Sequence, residues 1–508
     1  MKRTLLVFLL VNLVLSACAP VSAPTPTPAP SATPLPTATP LPTATPTPAP
    51  TATPTPIPTI QVGDLSVPDP RVVNPELFDL KNKEAPIPQF ANALRNAGIN
   101  LTPEEIAQGI IYVSTKKDGL PLVDKDGNPF VVAVYNLDPS LFPKEYRDLA
   151  GQVPLMIAKR EDGDWKWENY REVPLRIFAD ATGISIGTND EALDGSLGKK
   201  VGTHFNLLYA PWSFKWDENQ PTIYSNNTIS TNKFNYAQKT SMNFLGGVLV
   251  SDYPAWLING LNNQSIDVND LEQFLRRRVK EAMKPFGARI SYWVVTNEVD
   301  SSWNRNDPVV KKLGVNKFLE IVYDEAHKNN PNAILIFNDS VNHFPPGSNG
   351  GYTELPKNVY LIRELRKKGY NVAVGLQMHL NQNQWSQMPT IGELKKAFEI
   401  YRQNRIPVVI TEMDVSIYNV DPKQPIRFLY QAMIFQGALR AYLESGAGGE
   451  NPLVSFWGLR DNESWLETWG EERNPNADPL LFDDMGNTKM AYYAILMILF
   501  ENYLNKVP

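Results

Sequence analysis

Polar residues gather at the ends of apolar runs in this chain. In "VVITEMDV" (408–415), Glu412 and Asp414 stand two apart; in "WVVTNE" (293–298), Glu298 closes the run just after Asn297. "GLQMHL" (375–380) carries Gln377 and His379, again two apart, and "LVSFWGL" (453–459) carries Trp457. In a strand, residues two apart share a face, so Glu412 and Asp414 point the same way, as do Gln377 and His379. Two neighbouring acids are costly to bury unless they are paired, protonated or facing water. Carboxyls kept in different environments can divide the work: one, held protonated, donates a proton, and the other, ionised, attacks or stabilises charge. A single acid at a strand end is often only the cap of the next helix. Four strands with polar groups at the same relative place argue for more than capping.

Other chemistries lack their residues. Cys18 is the one cysteine, and the four histidines are scattered, none in an H-E-x-x-H pattern, so no catalytic zinc is expected. No G-x-S-x-G elbow or phosphate-binding loop occurs, and no metal or cofactor is expected. A net charge of −6 with no basic cluster argues against nucleic acid as a partner.

Elements that could position these residues follow a regular rhythm from about Gly183. Short apolar runs alternate with amphipathic stretches, the pattern of parallel strands with helical crossovers. Eight runs are strand candidates: 183–188, 204–210, 244–250, 291–298, 333–339, 372–380, 407–415 and 453–459. Between them, "DVNDLEQFLRRRVKEAMKPFG" (267–287) places Val268, Leu271, Leu275, Val279 and Ala282 on one stripe, with Asp267 as N-cap and Gly287 as stop. "KMAYYAILMILFENY" (489–503) is apolar all round but short for a membrane span and interrupted by Glu501, which predicts a buried outer helix. Eight units suit a (β/α)8 TIM barrel; an open doubly wound sheet is the alternative. In a barrel the chemistry sits at the C-terminal ends of the strands, which is where the polar residues lie. Two glutamates on opposite walls of one barrel mouth are the equipment for glycoside hydrolysis. A retaining enzyme holds the carboxyls about 5–5.5 Å apart, and an inverting one about 6.5–9.5 Å.

From about Phe178 to Tyr503 the chain resembles glycoside hydrolase family 10, the endo-β-1,4-xylanases. The resemblance rests on "WVVTNE", "GLQMHL", "VVITEMDV" and "FWGLRDNESWL…PLLFDDMGNTKMAYYAI" (456–495). It implies a retaining double displacement with Glu412 as nucleophile and Glu298 as acid/base. It further implies that His379 stands between Glu412 and Asp414, and that Asn297 grips a sugar 2-hydroxyl. Gln377 becomes a polar contact within the site, and Trp457 and Trp465 an apolar wall that stacks on sugar faces. Core packing is the plain alternative for either tryptophan.

The early barrel departs from the family. Where members carry "ENxMKW", this chain has "PWSFKW" (211–216): Lys215 and Trp216 remain, while Pro211 and Trp212 replace the Glu–Asn pair. Where members carry "RGHxLVWH", it has "LGGVLVSD" (245–252), with Gly247, Ser251 and Asp252 at the His, Trp and His positions. Those family residues hold sugars on the glycone side. The partner expected is therefore xylan or a related β-1,4-glycan, including a different or decorated one. A polysaccharide-binding protein with little turnover is a further alternative.

Residues 1–17 read as an export signal: Lys2 and Arg3 precede the apolar stretch Leu5–Leu15, and "LSAC" ends at Cys18. The pattern resembles the bacterial lipoprotein cleavage site, with Cys18 lipidated; an ordinary signal peptide with an incidental cysteine is the alternative. Residues 18–60 form a Pro/Thr-rich linker, with fifteen of the 44 prolines between Pro20 and Pro58, and are expected to be a polyproline-like stalk. This predicts an exported monomer whose only tie to a membrane is the lipid at Cys18. Residues 61–175 are expected to form a small α+β or β-rich module, built around strand–turn–strand patterns with Asp-Gly turns, and residues 176–508 the barrel. "DKDGN" (124–128) lacks the acidic positions of a calcium loop. Trp165 and Trp167 share one strand face, where packing is a simpler role than a sugar platform.

Overall fold

The computed structural model describes residues 56–189, 193, 198–216, 228–299, 307–340, 355–380, 389–468 and 473–506. Residues Ile57–Pro508 form one compact unit. Cys18 and nearly all of the Pro/Thr-rich segment lie outside the described residues.

The unit opens with a two-stranded hairpin, β1 (Thr59–Val62) and β2 (Leu65–Pro68), followed by a four-stranded antiparallel sheet. That sheet runs in the order β3 (Ile110–Val113), β4 (Phe130–Leu137), β5 (Gly151–Glu161), β6 (Asp164–Trp167). Asp162 and Gly163 both take positive φ, 51° and 91°, so the β5–β6 connection is the tight turn that an Asp-Gly pair favours. The Asp126-Gly127 pair behaves differently. Asp124 accepts the N–H groups of Asp126 and Asn128 at 3.0 and 2.9 Å, which makes it a side-chain-capped turn rather than an ion loop. Trp167 is buried and donates to the Pro68 carbonyl at 2.8 Å, while Trp165 packs half-buried against the same core, so both serve packing.

Eight parallel strands then close into a barrel in chain order: β7 (Ser185–Asn189), β8 (Leu207–Ala210), β9 (Asn243–Gly246), β10 (Tyr292–Asn297), β11 (Ile334–Asp339), β12 (Val372–Leu376), β13 (Val408–Met413) and β14 (Leu453–Phe456). The barrel alternative, not the open sheet, is the fold. Leu207, Leu245, Val294, Ile336, Ala373, Val409 and Leu453 fill its interior from successive strands. Most strands are shorter than the apolar runs suggest. Gln377, His379 and Asp414 lie past the last strand residues, in the loops that form the mouth.

Between the strands, the helix Val268–Met283 begins with a reciprocal cap between Asp267 and Asp270 and buries Leu271, Leu275, Val279 and Ala282. Val268 is exposed, because the first turn stands clear of the barrel, and the helix stops at Met283; Gly287, with φ 55°, opens a separate short turn. The helix Met490–Asn505 is buried on nearly every side. It is covered by barrel and module together. Phe500 packs on Phe178 at 4.9 Å, Tyr493 on Phe90 at 4.8 Å, and the Tyr503 hydroxyl donates to the Val123 carbonyl at 2.9 Å. A helix apolar all round is thus a core helix here, and among the described residues no helix is long and apolar enough to cross a membrane.

Candidate active site

Strand ends β10, β11, β12 and β13 converge on one hydrogen-bonded cluster. Glu412, on β13, is buried; its Oε2 lies 3.3 Å from His379 Nε2 and its Oε1 accepts from Asn338 Nδ2 at 2.7 Å. His379 Nδ1 lies 2.9 Å from Asp414 Oδ2, and Trp465 Nε1 donates to the same oxygen at 3.0 Å. Pairing between the β12 and β13 chains continues past the strands through a His379–Asp414 bridge, which is why the imidazole meets that carboxylate. Burial alone would lower the imidazole pKa. Asp414 and Glu412 outweigh it and raise His379 to about 10, so the ring is a cation between two carboxylates at neutral pH.

Glu298 faces the same cluster from β10. Gln377, buried, donates from Nε2 to Glu298 Oε1 at 2.8 Å and to Asn297 Oδ1 at 3.2 Å. Adjacent residues of a strand point to opposite faces, yet Asn297 and Glu298 share one partner. The strand ends at Asn297, and Glu298 takes a left-handed φ of 49°, which swings its side chain back to the mouth. Met378 does the same before His379, with φ 59°. Non-glycine residues in this region cost of order 1–3 kcal/mol each and persist where the surroundings impose them. Burial raises the Glu298 pKa above the ordinary carboxylic range. The Gln377 amide opposes that rise, and the neighbouring Glu412 and Asp339 add to it. The site thus holds one carboxyl biased toward its protonated form beside another that accepts from an amide and a cationic imidazole.

Trp457, at the end of β14, lies edge-on to His379 with centroids 6.2 Å apart, and Trp465 lies 5.2 Å from the same ring. These two indoles wall the cluster. The loop carrying Trp465 is tied down by a buried pair: Lys489 Nζ donates to Asp461 at 2.8 and 3.0 Å and to the Asp478 carbonyl at 2.6 Å. Lys215 follows β8, on the early side of the barrel. Its Nζ lies 4.1 Å over the Trp212 ring and 3.9 Å from Asp252, and Trp212 in turn packs on Trp457 at 5.9 Å. Asp252 also accepts from the Ser251 hydroxyl at 3.2 Å.

Glu298, Glu412, Asn297, Gln377, His379, Asp414, Trp457 and Trp465 are thereby brought together, and Lys215 lies against Trp212, which packs on Trp457. Sequence reading overlooked Asn338 and Thr411. The signal was present, because "AILIFND" also ends in polar residues at the same relative place as the other four runs. Among the described residues no cluster of three or more His, Cys, Asp or Glu could hold a metal ion.

Comparison with known proteins agrees with this architecture. Residues 175–498 match the model of glycosyl hydrolase family 10. The endo-1,4-beta-xylanase of Geobacillus stearothermophilus is 25% identical over 336 residues, covering 63% of this chain and 97% of that protein. Endo-1,4-beta-xylanase C of Paenibacillus barcinonensis is 27% identical over 317 residues, covering 58% of this chain but only 28% of that longer protein. The crystal structure of native xylanase 10B from Thermotoga maritima superposes with a TM-score of 0.57 at 25% identity, over 66% of this chain and all of that one. With the family's model matched across the whole barrel, the chain belongs to glycosyl hydrolase family 10 and is a glycoside hydrolase.

Proposed function

We propose that this protein hydrolyses internal β-1,4 bonds of xylan with retention of configuration. Glu412 attacks the anomeric carbon while Glu298 gives its proton to the departing glycosidic oxygen, leaving a glycosyl ester on Glu412. Water then attacks the same carbon, Glu298 takes the proton from it, and the ester breaks. The observation that carries this reading is the asymmetry of the two carboxyls. Glu298 is raised by burial, whereas Glu412 sits against the His379 cation and the Asn338 amide. The relatives named above are endo-1,4-beta-xylanases, which supports xylan as substrate.

A second reading, a different or decorated β-1,4-glycan, is favoured by Trp212, Ser251 and Asp252 at the early strand ends, where Lys215 is engaged by Asp252 and Trp212. One experiment separates the readings. Reducing-sugar release is measured from xylan, mixed-linkage glucan, cellulose and mannan, beside Glu412→Ala. Release from xylan that disappears in the variant is expected; release only from another polymer moves the substrate. Binding of xylan by a folded protein with no release from any polymer leaves a binding protein. Proton NMR of the first product anomer tests retention.

We further propose an exported lipoprotein, monomeric, carried on a Pro/Thr-rich stalk from a lipid on Cys18. Partition of the full chain into detergent, lost in Cys18→Ala, is the expected result.

A further inference from the structure

We propose that Asn338 is a positioning residue that holds Glu412 and Asn297 in their working orientations and is itself oriented by Thr411; this rests on the hydrolase reading above. Asn338 stands at the end of β11, fully buried. A primary amide offers two N–H donors and one carbonyl acceptor, and here every direction is used. Nδ2 donates to Glu412 Oε1 at 2.7 Å and to Asn297 Oδ1 at 2.7 Å. Oδ1 accepts from the Thr411 hydroxyl at 2.7 Å. The backbone carbonyl of the same residue accepts from the Glu298 N–H at 2.9 Å. One residue therefore touches the attacking carboxylate, the proposed sugar contact and the backbone of the proposed acid.

The amide cannot turn over. Reversed, its carbonyl oxygen would face two oxygen acceptors, Glu412 Oε1 and Asn297 Oδ1. The consequence reaches Asn297, whose carbonyl is held by two donors, Asn338 and Gln377. Its own NH2 is thereby turned away from Asn338 and Gln377.

A second observation is independent of these bonds. Gly375 of β12 pairs in register with Asn338. A Cβ at Gly375 would stand 2.5 Å from Asn338 Oδ1, 2.6 Å from Ile336 Cγ2 and 3.1 Å from Thr411 Cγ2. No side chain fits there while the amide keeps its place. The neighbouring strand leaves open the space that the amide fills.

The titratable groups facing this arrangement are His379 and Asp414 on the far side of Glu412, with Glu298 and Asp339 nearby. None of them replaces the donor that Asn338 supplies. A carboxylate that loses a donor holds a proton more firmly, so the acid limb of kcat/KM serves as a readout that general loosening would not move.

The test is the pH dependence of p-nitrophenyl β-xylobioside hydrolysis by the full chain, with thermal melts alongside. The variants are Asn338→Ala, Asn338→Asp, Thr411→Val and Thr411→Ser. Asn338→Ala and Asn338→Asp are expected to lower kcat about 10- to 100-fold, more than they change KM, and to move the acid limb to higher pH. The Thr411 pair keeps the proposal falsifiable if either variant fails to fold: Thr411→Val keeps the shape of the side chain and removes only the hydroxyl. It should lower kcat about tenfold and move the acid limb the same way, and Thr411→Ser should recover most of the loss. Folded Thr411→Val and Asn338→Ala proteins with kcat within about twofold of wild type and an unmoved acid limb would overturn the proposal. Wild-type protein that releases no nitrophenol overturns the xylan-hydrolase reading and this proposal with it.

Discussion

The late strand ends of this barrel and the early ones are built differently. At β10–β13, Gln377, Asn338, His379, Asp414 and the two glutamates share a continuous set of hydrogen bonds. At β7–β9 the mouth holds aromatic and loosely tied groups instead. Trp212 lies between Lys215 and Trp457, the exposed Asp252 draws on Lys215 and Ser251, and the buried Asn189 amide has no hydrogen-bond partner among the described residues. The difference teaches that a continuous polar network and a set of aromatic and charged groups occupy separate walls of one barrel mouth. The late wall allows little variation, because each polar atom there constrains another. The early wall meets it through Trp212 and Trp457.

The largest effect should fall on the late wall. Glu412→Ala is expected to lower kcat by at least about 10⁴-fold, and Glu298→Ala by about 10²- to 10⁴-fold. Added azide sharpens the assignment: it should restore turnover in both, giving the α-glycosyl azide from the first variant and the β-azide from the second, read by NMR. Equal anomers from the two would break it.

Asp414→Asn comes next. It removes one of the two charges that raise His379, so kcat should fall about 10- to 100-fold with little change in melting temperature. Steady-state kinetics beside a thermal melt checks this.

Gln377→Leu tests the pH logic. Gln377 donates to the Glu298 carboxylate and favours its ionised form. Without that donor the proton is held more tightly and the acid form persists to higher pH. The alkaline limb of kcat/KM should therefore move up by about one pH unit; a downward movement would contradict the electrostatics described.

Trp212→Ala, on the early wall, should be the mildest. Its tilted contact with Trp457 is worth about 0.5–1.5 kcal/mol. KM for polymer should change about two- to tenfold while kcat on a short aryl glycoside barely moves. A large loss of kcat would join the two walls that the structure separates.

Much of this was legible in the sequence, for physical reasons that also explain the rest. Alternating strand and helix patterns gave the barrel, since parallel strands need helical crossovers; Glu412 and Asp414 do meet a common partner in His379, whereas Gln377 and His379 lie past the strand, where face alternation no longer applies. Asn338 escaped notice because a neutral amide at the end of an apolar strand carries no charge to draw attention; its importance comes from partners on two other strands, Asn297 on β10 and Thr411 and Glu412 on β13. The turned-back Glu298 was hidden for a different reason. Its left-handed backbone is imposed by its surroundings, and nothing in "WVVTNE" announces it. The tilted contact of Trp212 with Trp457 joins the ends of the second and eighth strands, and only closure of the barrel brings them together.

The helix Met490–Asn505 carries one more consequence, for the timing of assembly. Module residues Phe90 and Val123 are completed by Tyr493 and Tyr503, and Val123 and Tyr503 are separated by 380 positions. A chain made from its N-terminus produces the module first and the surface that covers it last. Until the final turns emerge, Phe90, Phe130 and Phe178 each lack one aromatic partner, Tyr493, Tyr503 and Phe500 in turn. Completion is therefore a late, concerted event with high contact order. A chain that stops short of Met490 would expose apolar surface on the module and the barrel at once, giving quality-control proteases a clear mark of an unfinished molecule.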